Sequence, residues 1–381
     1  MDNKKNILFL GTTNYGFELS NSDKNKFKEL NSMLNVFVFT YGKLAREIDF
    51  ENVKIKYLKE PKQLLTKYLK FYFFSIFTLM NFINVNNISI VSAKEPISAL
   101  NPVLIKLIFK KDIKIIIENH GDYRIQLLQQ RDSYIFSKTI FLTKYINKFV
   151  FNHADMLRGV SKQNSKAFKI YNPNLRNYNF PAWIDNSIFK YTNVERSNDI
   201  LFVGNIIKRK GIEFLIRSLS PFLIENKDVV FRIVGKKEDA KYFQSLKKII
   251  EKNNLDDQIL FLDELNQNDI SILMNKSKIL VMGSTSEGLP RVLIEAGFCK
   301  LPSVATDIDG IYNPFFTNGG TLTYKLNSEN DFMNSFNKLN SDEGLWKIQS
   351  EKSYKLSNEI AGNGKFVNNW LKIITMINSE L

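Results

Sequence analysis

Residues 200–219 read ILFVGNIIKRKGIEFLIRSL. The apolar run Ile200–Val203 stops at Gly204, a short basic loop follows, and a helical pattern runs from about Ile212 to Leu219. A brief, unbroken apolar run is how a strand buried on both faces of a parallel sheet reads, because helices cover each face. A strand closed by glycine and followed by a helix opens a βα unit. The same rhythm continues downstream. Val229–Val234 ends at Gly235, and Ile259–Leu262, Ile279–Met282 and Ser303–Ala305 read as further strands. It also occurs upstream. Ile7–Leu10 leads into the loop Gly11-Thr12-Thr13-Asn14-Tyr15-Gly16. Val36–Thr40, Ile88–Val91 and Ile113–Glu118 follow, with a helix-length segment from Pro96 to Lys110 before the last of them. No period of about 20–50 residues recurs, which excludes a solenoid. The fold class is α/β.

A chain of 381 residues exceeds one ordinary core and suits two domains. The polar, proline-bearing stretch Asn179–Asn193 reads as the link between them. The expected division is 1–180 and 190–365, with 366–381 as an amphipathic C-terminal helix. Hydrophobic residues make up 44% and charged residues 24%, a globular composition that argues against disorder. The single cysteine, Cys299, excludes an internal disulfide and a cysteine-based metal cluster. The opening MDNKKNILFL runs straight into a strand and lacks the apolar region and cleavage site of a signal peptide. The most apolar stretch, Phe71–Ile83, is 13 residues, short of the ~18–20 needed to span a bilayer. A buried helix is the expectation there.

Charge is unevenly placed. Residues 1–190 hold 29 Lys+Arg against 15 Asp+Glu, whereas residues 191–381 hold 24 of each. The whole excess of +14 lies in the first half. It fits contact with something anionic, a membrane surface, a phosphorylated acceptor or nucleic acid, or else solubility charge on lysine-rich helices.

Three segments carry candidate chemistry. In SEGLPRVLIEAG, Ser286–Gly297, Glu287 stands at the end of a strand-to-helix loop and Pro290 can begin the helix. The amides of Gly288 and Leu289 are then placed to donate to a phosphate or a sugar hydroxyl. Glu287 could accept from sugar hydroxyls, and Glu295, two turns on, from a ribose. The bland alternative is a capped surface helix with two incidental glutamates. In Gly204-Asn205-Ile206-Ile207-Lys208-Arg209-Lys210-Gly211, three adjacent cations between glycines suit a diphosphate and the charge growing on a leaving nucleotide. Alone, this is a solvated basic turn as readily as a site, and it lacks the Lys-Ser/Thr pair of a Walker loop. In Glu118-Asn119-His120-Gly121-Asp122, a strand end places His120 where ligands of open α/β sheets bind. The other histidine, His153, reads as structural. Asp307-Ile308-Asp309 imitates a metal-binding Asp-x-Asp but passes into Gly310, and no metal site is expected.

Together these segments resemble glycosyltransferase family 4, a group of retaining enzymes with the GT-B fold. FVGNIIKRKGIEFLIRSL, residues 202–219, looks like its Phe-Val-Gly-Arg…Lys-Gly motif. GSTSEGLPRVLIEAGFCKLPSVATDIDG, residues 283–310, looks like its donor signature, two glutamates separated by seven residues. NFPAWIDNSIF, Asn179–Phe189, is similar to its interdomain segment, and ADMLRGVSK, Ala154–Lys162, to the serine-ended strand closing the first domain. The likeness is close over the second half and loose over the first. The resemblance implies two Rossmann-like parallel-sheet domains facing a central cleft, and leaves open a C-terminal helix crossing back to the first. It implies that Glu287, with the backbone of Gly288 and Leu289, contacts the donor sugar and that Glu295 holds the ribose. Lys210, with Arg209, would neutralise the diphosphate, beside Gly204 and Asn205. His120 would lie beside the reacting sugar, and Gly16 in a first-domain loop facing the donor phosphates. Departures from the family pattern are Asn205 for its arginine, Gly283 for a proline, Pro181-Ala182-Trp183 for Pro-Asn-Gly, and Asp309–Asn313 for Gly-Gly-x-x-Glu.

The expected activity is hexosyl transfer with retention from a UDP- or GDP-sugar to a glycan or lipid-linked acceptor, in bacterial-type surface polysaccharide synthesis. No cofactor and no essential metal is implied. The expected location is cytoplasmic, peripheral on the inner membrane face, with no nucleic-acid partner. The competing readings are a nucleotide-sugar epimerase on the same fold and a basic polyanion-binding protein.

Overall fold

The structure is a computed structural model and describes residues 4–12, 15, 19–61, 75–119, 134–308 and 319–379, without the side chains of 134–142, 163, 164 and 167. The chain forms two units, one of Met1–Trp183 with Gly364–Leu381, the other of Ile184–Asn363.

In the first unit the strands are β1 (Asn6–Leu10), β2 (Asn35–Gly42), β3 (Arg46–Phe50), β4 (Val53–Lys59), β5 (Ile90–Ala93), β6 (Lys114–Asn119), β7 (Met156–Gly159) and β8 (Asn177–Asn179). Among the described residues they form one sheet of order β3-β4-β2-β1-β5-β6-β7-β8. It is parallel except for the β3–β4 hairpin. That hairpin went unread in the sequence for a physical reason. REIDF and VKIKYLK alternate in-facing and out-facing residues, as a one-sided strand does, and show no continuous apolar run. Its turn places Glu51 and Asn52 at φ 46° and 66°, the twist a tight hairpin prefers.

Both faces of the sheet are covered. On one, Leu8, Leu10, Phe39 and Val91 meet α2 (Ile76–Val85), α3 (Leu100–Ile108) and α4 (Tyr134–His153) through Leu79, Phe82, Val103 and Phe151. On the other, Ile7, Val36, Val38 and Ile116 meet α1 (Asn21–Met33) through Phe27 and Leu30. A short α5 (Lys162–Phe168) follows β7. The apolar stretch at 71–83 is a buried domain helix where it is described: Leu79, Phe82 and Ile83 of α2 lie in the core. No helix among the described residues is long and apolar enough to cross a membrane.

The last helix is also part of this unit. Numbered α12 (Lys365–Asn378) in chain order, it buries Val367, Trp370, Ile373, Ile374 and Ile377, the spacing of one helical face. The Trp370 ring meets Phe9 edge-on at 5.0 Å and Phe180 at 5.6 Å. Arg176 donates to the Met376 carbonyl at 2.6 Å and Tyr178 to Asn369 at 2.9 Å.

The second unit holds β9 (Ile200–Val203), β10 (Phe231–Val234), β11 (Ile259–Leu262), β12 (Ile279–Met282), β13 (Ser303–Asp307) and β14 (Thr321–Lys325). Their order is β11-β10-β9-β12-β13-β14, with every described pairing parallel. Its helices are α6 (Ile212–Glu225), α7 (Ala240–Lys252), α8 (Gln267–Lys276), α9 (Arg291–Phe298), α10 (Glu329–Ser341) and α11 (Glu343–Ala361). Ile200 and Phe202 face one core and Leu201 the other, which is why β9 reads as an unbroken apolar run. Helix α6 passes the expected end at Leu219 because Leu223 continues its buried stripe.

Candidate functional site

The sheet of the second unit reverses its order at β9, which pairs with β10 on one side and β12 on the other. Ligands of open α/β sheets bind beyond the carboxyl ends of strands at such a switch point. The two loops singled out in the sequence both leave from there, one after β9 and one after β12.

Two glycines let those loops touch. Gly211 has φ 65°, and a Cβ on it would stand 1.9 Å from the carbonyl oxygen of Gly283. A side chain there would be both strained and blocked. The Thr285 amide donates to the Arg209 carbonyl at 2.9 Å and closes the contact. Below it, the carbonyl of Met282, last residue of β12, accepts from Thr306 Oγ1 at 3.2 Å and the Tyr324 hydroxyl at 3.1 Å. The loop therefore starts from a clamped strand end.

This juxtaposition brings two cations and a hydroxyl to one carboxylate. Glu287 Oε1 lies 2.5 Å from Lys210 Nζ and 3.4 Å from Arg209 Nη1, and accepts from Ser284 Oγ at 2.8 Å. Arg209 also donates to the Ser286 carbonyl at 2.5 Å. The carboxylate side chain is 10% exposed, against 19% for Lys210 and 29% for Arg209. The cations thus reach solvent further than the anion they share. Two positive groups on one negative group leave the cluster cationic, and exposed Lys208 adds to it. Such a cluster suits an anion of high charge density.

The structure brings Glu287, Lys210 and Arg209 together across 77 residues. It also adds Ser284, which sequence reading missed although it lies three residues before Glu287. Gly288 and Leu289 are half-buried, and among the described residues no group accepts from their amides. Pro290 is the N-cap of α9 rather than its first helical residue. Glu295 lies on α9 with Arg291 at 3.4 Å. Burial pushes its carboxyl above the ordinary range, and Arg291 pulls it part of the way back. Gly204 packs under Gly235, where a Cβ would meet the Gly204 carbonyl oxygen at 2.1 Å. Exposed Asn205 donates to Glu238 at 2.9 Å. Asn205 is thus tied to β10's outgoing loop, and Arg209 supplies the second cation beside Glu287.

In the first unit the strand-end motif has a structural part. Glu118 is buried, accepting from Ser92 at 2.8 Å and from Arg158 at 3.0 Å. His120 and Gly16 lie outside the described residues, as does Asp309. His153 donates through Nδ1 to the Phe149 carbonyl at 2.7 Å, within its own helix. Among the described residues no three His, Cys, Asp or Glu side chains converge as a metal site would require.

Comparison with known proteins bears on these loops. Residues 184–357 match the family Glycosyl transferases group 1. An uncharacterized glycosyltransferase of Methanocaldococcus jannaschii is 28% identical over 161 residues, 42% of this chain and 43% of that protein. The chain spans less than half the length of the first curated relatives it matches. Solved structures are similar over nearly the whole chain. Sucrose-phosphate synthase of Thermosynechococcus elongatus has a TM-score of 0.78 at 12% identity, covering 98% of this chain and 99% of that one. Anabaena HepE, in complex with UDP and glucose, has 0.70 at 13%, covering 98% and 99%. At such identities the likeness is one of fold, and the fold is that of the GT-B glycosyltransferases. The loops that meet at Glu287 lie within residues 184–357, the span similar to the glycosyl transferases group 1 family, in a chain with the GT-B fold.

Proposed function

We propose that this protein is a retaining glycosyltransferase that takes a hexosyl group from a nucleotide-sugar and passes it to a glycan or lipid-linked acceptor in surface polysaccharide synthesis. The observation that carries the reading is the meeting of Lys210, Arg209 and Ser284 on Glu287 at the switch point of the second sheet. A diphosphate competes with Glu287 for Lys210 and Arg209. Once they turn to it, the carboxylate can accept from donor-sugar hydroxyls, with the amides of Gly288 and Leu289 beside it. Glu295 takes the ribose.

In the proposed step the acceptor oxygen bonds to the anomeric carbon as the bond from that carbon to the diphosphate oxygen breaks. Attack comes from the leaving-group side, and the acceptor proton passes to a diphosphate oxygen. Lys210 and Arg209 stabilise the charge growing on the leaving group, and fixed hydrogen bonds at Glu287 hold the sugar. No step calls on a metal, so activity should survive EDTA. Acceptor recognition falls to the first unit.

The test is thermal melting with UDP-, GDP-, ADP- and CMP-sugars. UDP-glucose comes first, since HepE was solved with it. One donor at a hundred times its Kd should stabilise the protein by about 2.7 kcal/mol. In Glu287→Ala the extra shift of sugar-nucleotide over bare nucleotide should vanish, and Lys210→Ala should lower kcat by roughly a hundredfold or more. No shift with any donor would overturn the reading. An inverted product would overturn retention, and full turnover in Glu287→Ala would remove the carboxylate's role.

A further inference from the structure

The sheet of the first unit has a switch point of its own. Strand β1 pairs with β2 on one side and β5 on the other, both parallel, and the space beyond the carboxyl ends at such a point is where open α/β sheets take ligands. Lys94 follows β5 and lies across the end of β1. Its amide donates to the Leu10 carbonyl at 2.9 Å. A Cβ on Gly11 would stand 2.9 Å from the Lys94 Cβ and 3.4 Å from its Cδ. Helix α1 adds Lys26, whose ammonium lies 5.0 Å from the Tyr15 ring centre and 4.4 Å from that of Phe27.

The charges around Lys94 cancel. Those acting on its ammonium are Glu118, Glu95, Lys26 and Asp23. Glu118 is paired with buried Arg158 at 3.0 Å, and Lys26 with Asp23 at 2.9 Å. Lys94 and Glu95 complete the set, so among the described residues three cations stand with three acids. The unit as a whole has 30 Lys+Arg against 15 Asp+Glu. Its positive excess is placed elsewhere.

Within this set Glu95 has no structural task. It holds the N-cap position of the short 3-10 turn Pro96–Ala99, yet its side chain does not cap that turn. Among the described residues its carboxylate accepts no hydrogen bond. The residue is half-buried. Burial raises its carboxyl above the ordinary range, and Lys94 draws it part of the way back. A carboxylate held partly out of water without a donor is costly until a ligand supplies one.

We propose that this switch point binds an uncharged sugar residue, the end of the acceptor glycan, and that Glu95 selects it by accepting from one of its hydroxyls. A hydroxyl donates to a carboxylate and accepts from an ammonium, so a neutral sugar serves Glu95 and Lys94 together and leaves the charge balanced. A phosphate or uronate brought to Lys94 would stand against Glu95, Glu118 and Asp23 as well, and like charges brought together reject the wrong ligand. The cluster at Glu287 is the contrast, since two cations on one carboxylate leave it positive and suited to an anion. Calling the sugar an acceptor rests on the transferase reading; its binding does not.

The experiment is saturation-transfer NMR titration of the full chain, without donor. The neutral probes are the methyl glycosides of glucose, galactose, mannose and N-acetylglucosamine, and the anionic probes are glucuronic acid and glucose 6-phosphate. At least one neutral glycoside should bind saturably and both anions about tenfold or more weaker. Glu95→Gln should lower affinity for that glycoside about tenfold or more and raise affinity for glucose 6-phosphate, because the set gains a net positive charge. Glu95→Asp keeps the charge and shortens the reach, so it should weaken the glycoside and still refuse the phosphate. Both variants should melt no lower than wild type, since burial opposes the charge that Glu95 carries. The proposal fails if no neutral glycoside binds, if an anionic probe binds as tightly, or if Glu95→Gln binds both classes as wild type does. A melting shift with UDP-glucose, measured on the same protein, separates the two readings. Donor binding without glycoside binding overturns this inference alone, and glycoside binding without any donor shift overturns the transferase reading and leaves the sugar site standing.

Discussion

Glu295 is a buried carboxyl whose position carries a cost to stability. Burial holds its carboxyl above the ordinary range, and Arg291 restores only part of the loss. A carboxyl with a raised native pKa binds its proton more tightly folded than unfolded. The folded state is therefore favoured below the unfolded value of about 4.5, and that advantage is lost as pH rises through the native pKa. Every tenfold difference in proton affinity between the two states corresponds to about 1.4 kcal/mol. Glu295→Gln should thus melt close to wild type near pH 4 and a few degrees higher at neutral pH, as scanning calorimetry across that range would record. If Glu295 also holds the ribose, donor affinity in the variant should fall about tenfold. A melting difference that does not change with pH would show that the carboxyl is well solvated in the native state. The glutamates were legible as residues, because their loop, proline and helix follow one another in the chain. Ser284 and the Arg209–Ser286 bond were not, since neither has a periodicity or composition that marks it.

At the scale of elements, β6 and β7 are tied by a buried ion pair. The Arg158 side chain is 0% exposed and that of Glu118 9%. Arg158 also donates to the carbonyls of Phe180 at 3.0 Å and Pro181 at 2.7 Å and stacks over the Phe180 ring at 4.2 Å. Burial lowers the pKa of the guanidinium, and Glu118 raises it again. One side chain thus links two strands to the segment leaving β8. Removing it strands a carboxylate in the core. Arg158→Met should destabilise the first unit by about 3–5 kcal/mol, whereas pairing it with Glu118→Leu should recover most of that loss. Urea melts of the single and double variants decide this, and equal losses in both would show that packing dominates over charge. The strand-end motif around Glu118 read as a candidate site because strand ends are where ligands bind. Its partner lies 40 residues away, and nothing in either segment announces the other.

For the molecule as a whole, the unit containing the first residues also contains the last helix. Trp370 and four neighbours of α12 fill the face of the first sheet beside α1. Each such side chain contributes about 1.5–3 kcal/mol of burial, together comparable with the net stability of a domain. A chain ending at Asn363 should therefore lose the protease resistance of residues 1–183, while residues 184–363 should keep theirs. Undiminished protection of the first unit in limited proteolysis would show that its core closes without α12.

Two kinds of information separate at this scale. The sequence by itself determined the α/β class, the parallel sheets and the two strand-to-helix loops that meet at Glu287. Strands buried on both faces must be continuously apolar, and loops that approach each other this closely must carry glycine at the contact. These are local demands, so they are written locally. Only the tertiary structure decided that Lys210 and Arg209 converge on Glu287, that Asn205 turns to Glu238, that Arg158 answers Glu118, and that α12 belongs to the first unit. Those depend on which strand lies beside which, and strand order is chosen by the packing of whole faces rather than by any stretch of chain.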